Sequence, residues 1–246
     1  MNTNNCILMI FEGEKTEKVI FDSLKQYFLN ENDKTIVYGF HCSEIYSLYN
    51  KLKRDSDLEL FYLLKDKLKD RNEELQSIEF KNVSEMYLFF DYDGHAPTAK
   101  HEILEEMLEI FDNETEQGKL YISYPMVEAI RHLKEDVDFI STVVESSPDY
   151  KVISKDCDDC FKSFKTLSFD SWLKIIEEHV KKANYIVNDT FECSKLDIIQ
   201  QEILENQKEK FITTENKVAV LSSFALFLRD YYGYSQIDRF LAEGKK

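Results

Sequence analysis

Residues 6–11 read CILMIF and run directly into EGEKTE at residues 12–17. A short, continuous apolar run is typical of a strand that is buried on both faces of a parallel sheet. Residues 16–30 then place apolar side chains three and four positions apart, which predicts an amphipathic helix with Thr16 as its N-cap. The stretch therefore predicts a strand, a sharp acidic turn and a helix, which is how an α/β unit begins.

The same alternation of strand and helix continues to about residue 134. A second fully apolar run, MYLFF at residues 86–90, is the best candidate for a central strand, and residues 35–40 and 119–123 also read as strands. Apolar periodicity predicts helices at residues 43–55, 57–75, 101–111 and 126–134. We therefore predict an α/β fold with a mainly parallel sheet flanked by helices.

The last third of the chain has a different character. Residues 172–183, 197–210 and 218–231 are predicted to be helices with no strand between them. We therefore predict an α/β domain over residues 1–147 and a mostly helical C-terminal subdomain over residues 148–246. The apolar stripe of the last predicted helix is expected to belong to a core or to a dimer interface rather than to a cofactor site.

The net charge and the hydropathy of the sequence argue against several classes of protein. The 246 residues carry a net charge of −16, which argues against an autonomous nucleic-acid binder that works by broad phosphate neutralisation. No basic segment precedes residues 6–11, so no secretory signal is predicted, and the apolar stretch at residues 218–228 is shorter than the ~20 residues that span a bilayer. We expect a cytoplasmic protein with no membrane part.

The number of cysteines also favours a cytoplasmic protein. The sequence has 5 Cys, an odd number, which indicates reduced thiols rather than a disulfide framework. Cys157 and Cys160 form a C-x-x-C pair, but no second tight pair accompanies them. We therefore predict free thiols here and not a zinc site.

Acidic residues follow the two most apolar predicted strands. Glu12 and Glu17 lie just after residues 6–11, and Asp91 and Asp93 follow residues 86–90. Because ligands bind at the carboxyl ends of parallel strands, both acidic clusters are expected at one edge of the sheet. Hard oxygen ligands suit Mg²⁺ or Mn²⁺ rather than zinc. On its own, the D-x-D-G stretch could equally be an acidic surface turn.

Taken together, the order strand, E-G-x-K-T-E, helix and, much later, strand and D-x-D resembles the TOPRIM domain. The resemblance is closest to the nuclease-type TOPRIMs of OLD and RloB-like proteins, which occur in bacterial phage-defence systems, and it covers roughly residues 6–134. It implies that Glu12, Asp91 and Asp93 bind the catalytic metal and that Glu17 assists. The activity implied is metal-dependent hydrolysis of a phosphodiester in DNA or RNA.

Two further residues fit this resemblance less closely. Residues 123–128 (SYPMVE) are similar to an S-x-P-x-x-E stretch of RloB-like proteins, which would make Glu128 an outer or second-metal ligand. The alternative is a surface Glu that stabilises the dipole of a helix beginning at Pro125. Lys15, beside the first acidic cluster, is a candidate phosphate contact. His95 and His132 are weaker candidates, since a lone His is more often structural.

The sequence departs from the resemblance in one informative way. OLD-type proteins usually carry an ATPase in the same chain, yet no G-x-x-x-x-G-K-[ST] loop occurs here. We therefore expect a separate ATPase partner chain, with a homodimer through the C-terminal helices as the lesser alternative. The dispersed arginines and the net charge also predict weak intrinsic binding to nucleic acid.

Two rival functions stay open from the sequence. LFFDYDGH at residues 88–95 also resembles the strand and D-x-D-G of HAD-type phosphohydrolases, although that motif normally opens the domain. A non-enzymatic protein could instead use an acidic surface to mimic nucleic acid, but such a mimic needs no gathering of acids at strand ends.

Overall fold

The structure is a computed structural model that describes residues 5–29, 35–43, 45–55, 57–92 and 101–244. The chain forms two compact units, one made of Met1–Phe89 with Glu106–Leu120 and the other of Phe90–Glu105 with Tyr121–Lys246. The predicted division between residues 147 and 148 stays a prediction.

The helices and strands are as follows. The strands are β1 (Asn5–Phe11), β2 (Thr35–His41), β3 (Val83–Asp91), β4 (Asp112–Asn113), β5 (Gly118–Ser123), β6 (Val143–Glu145) and β7 (Lys217–Ala219). The α-helices are α1 (Thr16–Tyr27), α2 (Ile45–Arg54), α3 (Leu60–Lys67), α4 (Glu73–Ser77), α5 (His101–Ile110), α6 (Tyr150–Ile153), α7 (Phe169–Asn188), α8 (Gln200–Gln207), α9 (Thr213–Glu215) and α10 (Ser223–Gly244). Short 3₁₀ helices span Phe80–Asn82, Val127–Arg131, Phe139–Ser141, Asp159–Phe161 and Phe164–Thr166, and Lys208–Ile212 is π-helical.

A five-stranded sheet has the strand order β2-β1-β3-β5-β4. β1 pairs in parallel with β2 on one side and with β3 on the other, whereas β4 and β5 are antiparallel. Every residue of β1 after Asn5 is buried, as expected for a strand covered on both faces. The prediction of an α/β fold with a mainly parallel sheet flanked by helices is confirmed at this level.

In the first unit, helix α1 covers the sheet through its apolar stripe. Ile20 and Leu24 are fully buried, and the Phe21 ring lies 5.5 Å from the ring of Phe11 on β1. Burial of each such side chain contributes about 1.5–3 kcal/mol. The predicted N-cap is wrong, because Thr16 is already helical and the preceding residue makes no side-chain capping bond.

The single helix predicted over residues 57–75 is also wrong, because the chain forms α3 and α4 with a break between them. Asn72 causes the break: its side-chain oxygen accepts a hydrogen bond from the Leu75 N–H at 2.9 Å and caps α4. A capped helix start satisfies a backbone donor that a continuous helix would have bonded to its own carbonyl.

In the second unit, helices α7 and α10 supply much of the core. Trp172 of α7 and Phe224 and Phe227 of α10 are almost completely buried, so the apolar stripe of the last helix is core. Gly233, with φ of 72°, bends α10. None of the helices in the described ranges combines the length and the apolar character that crossing a bilayer would require.

Two strands in this unit were not predicted. β6 pairs antiparallel with β7, and β7 includes Val218, which the apolar pattern had placed in the last helix. The expectation that no strand occurs after residue 148 is therefore wrong. A strand of three residues is too short for its period to be distinguished from that of a helix.

Two polar side chains on α7 are completely buried. Lys182 donates hydrogen bonds to the carbonyls of Phe139, Ile140 and Thr142, and burial lowers its pKa to about 7. His179 accepts a hydrogen bond at Nδ1 from the Ser222 N–H at 3.1 Å, and burial lowers its pKa to about 3. The imidazole is therefore neutral, because its protonation would break this bond in a dry environment.

This burial makes stability depend on pH. Between its ordinary value of 6.5 and about 3, His179 takes up a proton only when the chain unfolds. We therefore expect the free energy of unfolding to fall as pH drops below 6.5, with a share from His179 of at most about 1.4 kcal/mol per pH unit. His179→Asn keeps an acceptor near Nδ1 and does not titrate. Urea unfolding from pH 7 to pH 4 should show a shallower loss for the variant, and parallel curves would contradict the argument.

Candidate functional site

The carboxyl edge of the parallel strands is fixed by backbone hydrogen bonds. In the register of the sheet, Phe11 at the end of β1 lies opposite His41 of β2 and Phe89 of β3. The Glu12 N–H donates to the Phe89 carbonyl at 3.2 Å, and the Cys42 N–H donates to the Phe11 carbonyl at 2.8 Å. The chain is therefore held by both neighbours up to Glu12, and the acidic turn starts at this edge.

Within the turn, Gly13 makes room for a buried carboxylate. Glu17 is 6% exposed, and its Oε1 accepts a hydrogen bond from the Gly13 N–H at 3.0 Å. A Cβ atom on Gly13 would lie 2.5 Å from the Glu17 Cδ, so any other residue here would have to displace the Glu17 carboxylate. The position of Glu17 in the first turn of α1 also favours its charge. The backbone N–H and the helix dipole together compensate for burial of the carboxylate.

The other predicted site residues of the α/β part are placed as follows. Glu12 is half-buried, and Lys15 is exposed at the position before α1. Asp91 is half-buried as the last residue of β3, whereas Asp93 and His95 lie outside the described residues. The roles assigned to these residues stay predictions.

Tyr92 fixes the chain just beyond Asp91. Its N–H donates to the Ser123 carbonyl at 2.9 Å, and its ring stacks on Tyr124 with 5.4 Å between centroids. Its hydroxyl lies 3.3 Å from His101 Nε2. Asp91 is therefore placed between a paired strand and an anchored aromatic residue, which limits the positions its carboxylate can adopt.

Glu128 lies on the 3₁₀ helix Val127–Arg131, where an α-helix was predicted from Met126. The alternative of a surface Glu is wrong, because Glu128 is 6% exposed and its Oε2 is buried without a hydrogen-bond partner among the described residues. Tyr150 lies nearby: burial raises its pKa, and the negative charge of Glu128 raises it further. A metal-binding role for Glu128 stays a prediction.

His132, one residue beyond the 3₁₀ helix of Glu128, also contacts Tyr150. Its Nδ1 lies 3.0 Å from the Tyr150 hydroxyl, and burial lowers its pKa. Arg131 beside it donates to the Ser154 Oγ and the Lys151 carbonyl. These bonds tie the 3₁₀ helix to α6 and hold the backbone that carries Glu128.

Two observations bear on the predicted metal sites: the state of the cysteines and the grouping of possible ligand side chains. All of the cysteines lie within the described residues and form no disulfide, with Cys157 buried and Cys160 exposed. Burial raises the pKa of the Cys157 thiol, which is the opposite of what a reactive or ligating thiolate needs. In the described part of the chain, no three His, Cys, Asp or Glu side chains are grouped as metal ligands. The Mg²⁺ or Mn²⁺ site and the absence of zinc stay predictions.

His41 was missed by the sequence analysis. It is the last residue of β2, opposite Phe11, and its buried Nδ1 has no hydrogen-bond partner among the described residues. It lines a cavity of about 960 Å³ that also includes Gly13, Lys18 and Arg71. The signal was present, because His41 directly follows the strand-like run at residues 35–40 just as Glu12 follows residues 6–11.

No protein-family model, no curated protein and no solved structure matches this chain. The resemblance to TOPRIM nucleases thus depends on the residues quoted above and on their place at the strand ends.

The contact between Gly13 and Glu17 can be tested by a double-mutant cycle. Gly13→Ala should destabilise the protein by about 1–2 kcal/mol, because the new methyl group displaces the Glu17 carboxylate and breaks its hydrogen bond to the Gly13 N–H. In a Glu17→Ala background the same change should cost less than about 0.5 kcal/mol, since the overlapping atoms are gone. Urea unfolding of the four proteins measures the coupling. Additive effects would show that Gly13 is required for another reason.

Proposed function

We propose that the chain is a metal-dependent nuclease that hydrolyses phosphodiesters in DNA or RNA. One observation carries the proposal: β1 and β3 pair in parallel, and the chain places Glu12 directly after the first strand and Asp91 at the end of the other. Strand ends on one edge of a parallel sheet are where α/β proteins bind ligands. The backbone bond from Glu12 to Phe89 holds the first of these acids at that edge.

The donor set supports Mg²⁺ or Mn²⁺ as the cofactor. Glu12, Glu17 and Asp91 offer only carboxylate oxygens, the ligands that these ions prefer. When bound, such an ion would polarise the phosphate and lower the pKa of a coordinated water. We assign Glu12 the role of general base or shared ligand, and Asp91 and Asp93 the role of ligands. Glu17 and Glu128 would be outer or second-metal ligands.

The surroundings of these acids support their roles. The Gly13 N–H holds the Glu17 carboxylate in one orientation, so little ordering is needed when a cation binds. Glu128 keeps a buried oxygen without a hydrogen-bond partner in the described part of the chain, which suits a group that is completed by a ligand. Lys15 is exposed next to the turn and could contact the phosphate.

We further propose that the nuclease is a cytoplasmic effector in phage defence that works with a partner. The OLD and RloB-like resemblance supports this context, and the missing phosphate-binding loop makes a separately encoded ATPase the leading partner. A net charge of −16 repels a polyanion, so low affinity and low background activity are expected from the chain alone.

The central test is the loss of activity in Glu12→Gln and Asp91→Asn. Both changes preserve shape and remove a charge that would hold the metal, so cleavage should fall by about 100-fold or more. Asp112→Asn, on an exposed acid in β4, is the matched control and should cleave normally. The measurement is cleavage of end-labelled DNA and RNA with Mn²⁺ or Mg²⁺, using variants with wild-type circular dichroism and unfolding curves.

Other outcomes would favour the rival functions. Equal cleavage by wild type and Asp91→Asn would rule out the nuclease site proposed here. An aspartyl-phosphate mimic trapped on Asp91 by beryllofluoride would indicate a HAD-type phosphohydrolase. Binding to a nucleic-acid-binding protein that is unaffected by metal and by Asp91→Asn would support an acidic mimic.

A further inference from the structure

A cavity beside β2 lies wholly within the first unit, next to the acidic turn. It has a volume of about 960 Å³, and residues 36–41 of β2 form one side. Lys18 and Lys25 of α1 line a second side, and residues 68–74 line a third. Gly13 and Glu14 also line it, so the cavity reaches the acidic turn that follows Glu12. This volume is at the upper end of the ~300–1,000 Å³ typical of ligand sites.

The charges of the cavity differ from those of the chain. The whole protein carries −16, whereas the lining of the cavity has equal numbers of basic and acidic side chains: Lys18, Lys25 and Arg71 against Glu14, Asp22 and Glu74. Lys18 and Arg71 make no side-chain hydrogen bond or ion pair with any described residue. Unpaired cations beside a strongly acidic protein are available to an anion, and a phosphate is the anion that the proposed reaction requires.

The cavity also offers an aromatic surface. Tyr38 is half-buried on β2, and its ring stacks on the ring of Phe40 at 6.0 Å with an interplanar angle of 11°. Stacking on aromatic side chains accepts any base, but it needs a base that is not already stacked within a duplex. This feature favours a single strand over a double helix.

A second, smaller cavity continues the first. It has a volume of about 280 Å³ and shares His41, Leu68 and Arg71 with the larger one. Lys67 lines it as a further cation. The two cavities together therefore offer Lys18, Arg71 and Lys67 to a strand that occupies both, with Asp70 as the one acid that lines the smaller cavity.

A peptide that adds to β2 as a further strand is the main alternative occupant, because β2 is an edge of the sheet. The structure disfavours it. Lys25 Nζ of α1 donates to the Val37 carbonyl of β2 at 3.2 Å, so one of the backbone acceptors that an added strand would use is already bonded to a charged side chain.

We propose that this cavity binds a single strand of nucleic acid next to the acidic turn, with Lys18 and Arg71 contacting successive phosphates. The proposal rests on the nuclease function and specifies its substrate as single-stranded or locally unpaired. The strand enters along β2 and reaches the turn at Gly13.

Binding without cleavage tests the proposal. A 5′-fluorescein hexathymidylate is titrated with the full chain, with Ca²⁺ in place of the catalytic ion, and anisotropy is recorded. Wild type should bind in the micromolar range, and Lys18→Gln and Arg71→Gln should each weaken binding about fivefold to tenfold. The slope of log K against log salt should become shallower by ~0.7 for each lost phosphate contact. Lys51→Gln and Arg54→Gln, exposed on α2 and outside the cavity, are the matched controls and should bind like wild type.

Several outcomes would overturn the proposal. Wild type could fail to bind the oligonucleotide, or the cavity variants could bind it as tightly as the controls. A duplex of the same sequence could bind more tightly than the single strand, or a Thr-Val repeat peptide could displace the oligonucleotide. The binding assay is independent of the nuclease function. If Asp91→Asn cleaves normally while Arg71→Gln loses binding, the cavity assignment holds and the nuclease site is wrong. If Glu12→Gln loses cleavage but Arg71→Gln binds normally, the reverse is true.

Discussion

The pairing of β1 on both of its edges is the constraint on which the rest of the structure depends. A strand that is buried on both faces and bonded on both sides can expose its polar chemistry only at its ends. Phe11, packed between Phe21 and Phe89 at 5.5 and 5.4 Å, is the last apolar residue before that end. Glu12 follows immediately and is half-buried, so the transition from the core to the acidic turn takes place within one residue.

The two buried glutamates show two ways in which a protein can hold a carboxylate. Glu17 accepts the Gly13 N–H, and its position in the first turn of a helix stabilises the charge. Glu128 has a buried oxygen with no hydrogen-bond partner in the described ranges, and its charge raises the pKa of Tyr150. A buried carboxylate that lacks a partner lowers stability. A ligand that supplied the missing interaction would explain why this carboxylate is retained.

The sequence predicted those features that arise from long or fully apolar patterns. Residues 6–11 and 86–90 are short and almost entirely apolar, which favoured buried strands, and both runs are followed by acids. Features that depend on one side chain, on a very short strand or on which strands are neighbours were missed. Asn72 breaks a helix by capping the next one, β7 depends on three residues, and His41 becomes notable only because β2 lies beside β1. Burial of Glu128 depends on contacts with distant parts of the chain, which periodicity does not encode.

The charge of the chain and the charge of the cavity together explain how an acidic protein could act on a polyanion. A net charge of −16 opposes the approach of nucleic acid from a distance, and salt screens this repulsion only beyond ~10 Å. Inside the cavity, basic and acidic side chains are balanced, and two cations have no partner among the described residues. Repulsion on approach and attraction at the site would together give slow association and modest affinity. If the proposed function is correct, a protein with these properties would leave most nucleic acid untouched until a partner delivered a strand to the cavity or added positive charge beside it, and the acidic surface itself would restrain the activity.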